Sequence, residues 1–324
     1  MYPVREVVVF HAESPLHPGA GGNVGHVDNP IQREKATGIP IVQANGVKGA
    51  LREYFEGMQD KDKDKDKDKD KDKDKDKDKI NAIFGTDDGN DGAGAVSFGE
   101  ARLLFFPVRS LAGVFAYTTC PSVINRLQRD LAACNKGKIT VTPNGDVWIP
   151  IVSNDTYLAH SKSMVDISSN SVLILEEFDF KKPSQNNNID QLLAGLAGAL
   201  FPNLPEYKPF QDNFAQRVVI LSDSDWIYFV KYSTEVEPHN RIDDKTGTVD
   251  KKTGVWYTEY LPSESILYTP LFIGKPRVNK EFDNCPNKVN AYIQKLNGKR
   301  TWLGGDRTTG KGMVMTHFYN IKEK

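Results

Sequence analysis

Leu303-Gly304-Gly305-Asp306-Arg307-Thr308-Thr309-Gly310-Lys311-Gly312, running into Met313-Val314-Met315-Thr316-His317-Phe318, is the stretch that discriminates between fold classes. Gly305, four residues, Gly310 and Lys311 match the opening of a phosphate-binding P-loop. The match then fails. Gly312 stands where magnesium coordination needs Ser or Thr, and Met313 to Phe318 has the composition of a strand where a helix N-terminus should hold the phosphates. Twelve residues follow, too few for a further strand carrying an aspartate. An ATP-binding parallel α/β domain is therefore not expected. What survives is a glycine-rich loop bearing Arg307 and Lys311 that could lie along a phosphate backbone, or a plain turn before a last strand.

Outward from that loop, the chain alternates strands and helices without a sustained parallel βαβ rhythm, which predicts an α+β fold. Val4 to Phe10 is a β-branched run with the look of a buried strand. After short apolar Ile39 to Val42, Asn45 is placed to cap a helix from Gly46 to Glu56, with Lys48 and Arg52 one turn apart on its polar side. Ala95 to Val108 and Gly113 to Thr119 read as partner strands, and Pro121 to Cys134 as an amphipathic helix. Val172 to Phe180 reads as a strand, Asn188 to Leu200 as a helix, and Val218 to Leu221 and Trp226 to Tyr232 as strands. Between Glu235 and Tyr260 two Lys-Thr-Gly triplets, starting at Lys245 and Lys252, suit the turns of a long hairpin.

From Asp60 to Lys79 Asp and Lys alternate, ten of each, so the net charge of −1 is the same with or without the repeat. In a helix the repeat sets unlike charges three apart and like charges four apart, and the two effects largely cancel. As a strand it has nothing to bury, and Asp favours neither state. It is read as a solvated, mobile insertion in an otherwise single domain of 324 residues. The longest nearly uninterrupted apolar run, Leu192 to Phe201, is too short to span a bilayer, and Met1 to Phe10 lacks the pattern of a signal peptide. Three cysteines without C-x-x-C spacing argue against disulfides or a zinc knuckle. A reduced, cytoplasmic protein is expected, with no membrane partner. Near-zero net charge means that nucleic-acid binding must rest on local clusters.

The segment His17-Pro18-Gly19-Ala20-Gly21-Gly22-Asn23-Val24-Gly25-His26-Val27-Asp28-Asn29-Pro30 does not complete G-x-G-x-x-G, so a dinucleotide site is unsupported. Its side chains with chemistry are His17, His26 and Asp28. An Asp before Asn-Pro is a common turn former; functionally it is a carboxylate on a loop, able to bind a divalent cation or orient a nucleophile near a phosphodiester. No zinc-ligand spacing and no Ser/His/Asp arrangement stands out. Lys48 and Arg52 could touch phosphates or be an ordinary solvated face. Two glycine loops, a basic helix face and a polar hairpin together favour an RNA-backbone binder.

Five blocks in order carry a resemblance: His17 to Gly21 with Gly25 to Glu34; Gly46-Val47-Lys48-Gly49-Ala50-Leu51-Arg52; Phe105-Phe106-Pro107-Val108-Arg109-Ser110; Thr119-Cys120-Pro121; and Gly304 to Gly312. The chain resembles the RAMP superfamily, in particular the repeated backbone subunit of type III-B (Cmr) CRISPR effector complexes. The resemblance implies a ferredoxin-like (RRM-like) core with insertions forming a hand of palm, fingers and thumb, the thumb being the hairpin 235–260. It implies copies stacked head to tail along a CRISPR guide RNA, beside the large and small subunits, cutting complementary target RNA at regular intervals with a divalent metal, Mg2+ or Mn2+. The cleaving residue, and tentatively the metal ligand, would be Asp28, with His17 and Glu237 as weaker neighbours. Lys48, Arg52, Arg241, Gly304, Gly305, Arg307 and Lys311 would contact RNA. Two other readings stay open: a guide-binding subunit that does not cut, and a metal-independent ribonuclease that processes guide precursors through His17 and His26. The Lys-Asp repeat departs from the family, which has a shorter connection there.

Overall fold

A computed structural model of the chain describes residues 2–22, 27–63, 70–86, 92–137, 139, 151–167, 172–183, 189–243, 245–249, 254–277 and 281–320. In chain order its elements begin with β1 (Val4–Ala12), β2 (Ile41–Val42), α1 (Ala44–Lys63), α2 (Asp70–Phe84), β3 (Val96–Phe98), β4 (Ala101–Arg109), β5 (Phe115–Thr119) and α3 (Pro121–Ala133). There follow β6 (Tyr157–Ala159), β7 (Val172–Leu175), β8 (Phe178–Lys181), α4 (Asp190–Leu200), α5 (Lys208–Arg217), β9 (Val218–Leu221) and α6 (Asp223–Tyr232). The chain closes with β10 (Glu235–Asn240), β11 (Val255–Tyr260), β12 (Ile266–Ile273), α7 (Pro286–Ile293), β13 (Lys299–Trp302) and β14 (Met313–Phe318).

The fold is α+β around one mixed sheet, in the order β13-β14-β1-β12-β4-β5-β9-β6, with β2 on β4 and β3 on β12. All its pairings are antiparallel except β5 with β9. β1 lies between β12 and β14, which is why Val7 to Phe10 are all fully buried and why the run reads as apolar without alternation. Its register sets Val4 opposite Ile273 and His11 opposite Ile266, and Val8 opposite Phe318. α1, α3, α5 and α7 pack on the sheet's strands. Among the described residues no helix is long and apolar enough to cross a membrane.

Three local readings change. Trp226 to Tyr232, read as a strand, belongs to helix α6. Ser222 caps it by accepting from the Asp225 amide at 3.1 Å, and two aspartates sit in its first turn, so the aromatic residues that look strand-like form a buried helical face of Trp226, Phe229 and Val230. Val172 to Phe180 is a tight hairpin, β7 turning into β8 at Glu176, whose φ is +51°. α1 starts at Ala44, so Asn45 lies inside the first turn instead of capping it.

The Lys-Asp repeat, read from sequence as neither helix nor strand, has helical backbone at both ends: α1 runs past Glu56 to Lys63, and α2 starts at Asp70. Each end continues a helix anchored by buried apolar side chains. Phe55 of α1 stacks on Tyr292 at 5.1 Å and packs against Phe84 of α2 at 5.9 Å, while Ile80 and Ile83 are buried. Helix already nucleated by packing propagates cheaply through residues of poor propensity.

β10 and β11 form an antiparallel ribbon outside the main sheet, Glu235 opposite Tyr260 and Asn240 opposite Val255. Beyond it the triplet Lys245-Thr246-Gly247 occupies a turn in which Asp243 Oδ1 accepts from the Lys245 and Thr246 amides. Lys252 and Thr253 of the second triplet lie outside the described residues.

Candidate functional site

Three segments meet at the end of β1: the N-terminal glycine-rich loop, the base of the β10–β11 hairpin, and the C-terminal glycine loop. Leu16 exchanges backbone hydrogen bonds with Leu261 (2.9 and 2.8 Å), Gly305 N donates to His17 O at 2.9 Å, and Gly312 N donates to Pro15 O at 2.8 Å. Gly304 has to be glycine. Its φ is +80°, and a Cβ there would lie 2.5 Å from the His17 carbonyl oxygen. The loop that mimics a P-loop is thus a clamp on the N-terminal segment.

Asp28 hangs on the hairpin. Its Oδ2 accepts from Tyr257 N at 2.8 Å. Next to it Asn29 N donates to Tyr257 O (3.0 Å), Glu259 N donates to Asn29 O (3.0 Å), and Asn29 Nδ2 reaches Thr258 Oγ1 at 3.2 Å. The loop therefore leaves Asp28 as a short parallel addition to β11, and one carboxylate oxygen, Oδ1, has no partner among the described residues.

Below this, Glu259 locks the corner. Its Oε2 accepts from Ile31 N at 3.0 Å, and its Oε1 from Arg33 Nη2 at 2.5 Å and Thr234 Oγ1 at 2.8 Å. The carboxylate is buried, so its solvation is replaced by these three donors. His17 Nδ1 lies 2.8 Å from the Glu259 carbonyl oxygen, and an oxygen that only accepts fixes the proton on Nδ1. The ring packs edge-on against Tyr260 at 5.6 Å.

Glu237 faces the C-terminal loop. Its Oε1 accepts from Lys311 Nζ at 2.5 Å, and that ammonium lies 4.4 Å from the centre of the Tyr260 ring. Tyr260 donates to Asp306 Oδ2 at 2.9 Å and accepts from His239 Nε2 at 3.1 Å, with His239 stacked on Trp256. Burial, then the Asp306 carboxylate, push the Tyr260 hydroxyl above its ordinary range, so it stays a donor at neutral pH. Burial also raises Glu235, against the pull of Lys311 and with the push of Glu237.

The structure thus brings together Asp28, His17, Glu237, Gly304, Gly305 and Lys311. Other expected RNA contacts lie apart. Arg307 pairs with Glu53 of α1 at 2.6 Å. Arg52 bonds Glu56 at 2.8 Å, Gly85 O at 2.8 Å and Asn81 Oδ1 at 3.2 Å, tying α1 to the end of α2. Lys48 lies one turn from Arg52, and burial, then that guanidinium, lower its pKa. Arg241 is exposed just past β10, and His26 lies outside the described residues. Sequence reasoning missed Glu259, Tyr260, His239 and Asp306. The signal for Glu259 was faint: a carboxylate in the otherwise strand-like Val255-Trp256-Tyr257-Thr258-Glu259-Tyr260, with Arg33 far off in the first block.

Among the described residues no three His, Cys, Asp or Glu side chains gather into a metal-ligand set. The donor set fits one mode only, in which a single Asp28 oxygen shares a hard cation with phosphate oxygens and water.

Residues 9–314 match the RAMP superfamily. The chain is 35% identical over 310 residues to the CRISPR system Cmr endoribonuclease Cmr4 of Pyrococcus furiosus, covering 95% of this chain and 93% of that protein. It superposes on oligomeric Cmr4 from the same organism with a TM-score of 0.69 at 28% identity, over 98% of this chain and 99% of that one. A chain of a type III-B Cmr-beta complex bound to cognate target RNA shares the fold, with a TM-score of 0.68 at 19% identity over 98% of each chain. Matched over nearly its whole length in sequence and in fold, the chain belongs to the RAMP superfamily, on its Cmr4 branch.

Proposed function

We propose that the chain is the backbone subunit of a type III-B Cmr complex, an endoribonuclease that stacks with further copies of itself along a CRISPR guide RNA and cuts the complementary target RNA beside Asp28. The observation that carries this reading is the Asp28 corner: one carboxylate held on the hairpin by a backbone amide, with a second oxygen free to act. The Pyrococcus relative named as the Cmr endoribonuclease supports it. In this reading the mixed sheet with its helices is a ferredoxin-like palm, the 235–260 hairpin is the thumb that displaces a target nucleotide, and the other effector subunits bind the ends of the filament.

RNA supplies its own nucleophile, so the site has to align a ribose 2′-hydroxyl with the adjacent phosphorus. Asp28 Oδ1 takes the 2′-proton as the 2′-oxygen attacks. The bond from phosphorus to the 5′-oxygen breaks, and that oxygen takes a proton from solvent. The tether from Tyr257 N keeps the carboxylate aimed, and ties its position to the hairpin that reshapes the target. His17, proton fixed on Nδ1, stiffens the loop, and Glu237 holds Lys311 against the hairpin base. A divalent ion, Mg2+ or Mn2+, would be held by Asp28 with RNA phosphate oxygens, supplying positive charge to the reacting phosphodiester. Lys311 and Arg307 would reach guide phosphates by leaving Glu237 and Glu53; Gly304 and Gly305 would let the backbone come close; Arg241 lies on the exposed hairpin. Lys48 and Arg52 would add positive field along α1.

The test is target cleavage by the guide-loaded complex, wild type against Asp28→Asn, with target binding measured in parallel and EDTA as a third arm. Loss of cleavage with binding kept, together with loss on chelation, supports the reading. Undiminished cleavage by Asp28→Asn rules out the assignment.

A further inference from the structure

At the opposite end of β1 from Asp28, three cations face one groove that has no counter-ion among the described residues. The pairing of Val4 with Ile273 sets Tyr2 and Pro3 beside Gly274 to Arg277. The groove there measures about 660 Å³ and is lined by Lys48, Lys275 and Arg277 together with Tyr2, Gly94 and Ser97. No Asp or Glu lines it among the described residues. The other basic residues discussed above are mostly satisfied inside the chain: Arg33 by Glu259, Arg52 by Glu56, Arg307 by Glu53 and Lys311 by Glu237, and likewise Arg126 by Glu34. In a chain whose net charge is −1, three cations in one concavity with no carboxylate among its described lining residues focus a local positive potential.

The wall opposite the cations is fixed backbone. A Cβ on Gly94 would fall 2.3 Å from Ile83 O, so the segment is pinned against the end of α2. Ala95 N donates to Ala82 O at 3.0 Å and Gly274 N to Ala95 O at 2.8 Å, so the groove keeps its shape without a ligand. Lys48 is half-buried, and both burial and Arg52 disfavour its charge; a bound anion would reverse that cost. Tyr2 packs on Phe272 at 5.9 Å and offers little to a base. The groove therefore suits sugar and phosphate better than a nucleobase.

We infer that this groove carries the phosphodiester backbone of RNA, with Lys275 and Arg277 as the direct contacts and Lys48 as the third charge. The inference rests on the reading of the chain as an RNA-binding subunit, and adds to it a contact surface at the other end of β1 from the Asp28 corner.

The test is anisotropy of a labelled single-stranded RNA titrated with the full-length chain over a range of salt concentrations, with ATP displacement in parallel. Lys275→Gln/Arg277→Gln should weaken RNA binding about tenfold and flatten the slope of log K against log[salt] by about 1.4, at about 0.7 per single-strand phosphate contact. Lys275→Arg/Arg277→Lys should keep the slope, and Ser97→Glu, which leaves the cations in place, should weaken binding. Thermal melting at the wild-type temperature identifies folded variants. Wild-type binding with an unchanged slope in both Lys275→Gln/Arg277→Gln and Ser97→Glu overturns the groove while leaving the RNA reading intact. A wild-type chain that holds no RNA at any salt overturns both. Variants that lose ATP but hold RNA as before make the groove a nucleotide site and overturn the inference.

Discussion

The two ends of β1 are built on opposite electrostatic principles. At the Ala12 end nearly every charge has an internal partner: Arg33 with Glu259, Lys311 with Glu237, and Tyr260 with Asp306. At the Val4 end Lys48, Lys275 and Arg277 surround a groove with no carboxylate among its described lining residues. Paired charges with satisfied hydrogen bonds fix geometry, which is what a single carboxylate needs if it is to do chemistry unaided by a dyad. Unpaired charges in a fixed concavity fix no geometry, but they keep their attraction for a ligand that brings its own phosphates. The comparison separates positioning from holding within one molecule.

The largest break in this comparison should come from Asp28→Asn. Asn keeps an oxygen for the Tyr257 amide but cannot take a proton, so target cleavage in the guide-loaded complex should fall by about 10²- to 10⁴-fold, the usual worth of general-base catalysis, with target binding unchanged. Glu259→Ala attacks the same end through its framework. It removes the counter-ion of Arg33, whose Nη1 keeps Gly38 O and Val230 O, and strands the Ile31 amide and the Thr234 hydroxyl. Urea denaturation should show a loss of about 3 kcal/mol, the lower range for breaking a buried pair, because Arg33 is partly exposed. Cleavage should fall with it, since Asp28 rides on the same strand.

Arg307→Gln against Arg277→Gln sharpens the contrast directly. Arg307 must leave Glu53 before it can serve RNA, whereas Arg277 has no such partner among the described residues. Losing Arg277 should therefore cost several-fold more affinity and a larger share of the salt slope in the anisotropy titration.

His317 supplies a control between the ends, paired with Val9 in mid-sheet. Burial lowers its pKa from 6.5 to about 4. Below pH 6.5 the unfolded chain takes a proton that the folded chain refuses until about pH 4. Its contribution to stability is therefore complete above 6.5 and lost as pH falls towards 4. His317→Gln should flatten the pH dependence of urea midpoints in that window while leaving the salt slope of RNA binding untouched.

How much of this was legible in the sequence depended on range. β1, α3, α4, β9 and β14 follow from local periodicity, and their boundaries move by only a residue or two. α6 was misread because Trp226 to Tyr232 is aromatic enough for a strand, although Ser222 and Asp225 wrote a helix start just before it. The site candidates Asp28, His17 and Lys311 came from motif blocks and Glu237 from the expected thumb hairpin, and they converge at one corner. Glu259, which holds that corner, could not be read, since its partners Ile31 and Arg33 lie 228 and 226 residues away.

The sequence by itself determined the α+β class, the buried central strand, the two glycine loops and the superfamily, because these rest on short-range pattern and ordered motifs. Only the tertiary structure decided which charges are spent and which are available. Lys311 and Lys275 are alike as letters; one lies 2.5 Å from Glu237 and the other faces a groove with no carboxylate among its described lining residues. That difference arises from residues distant in the chain meeting across a sheet, and electrostatic energy depends on those distances and not on order along the chain.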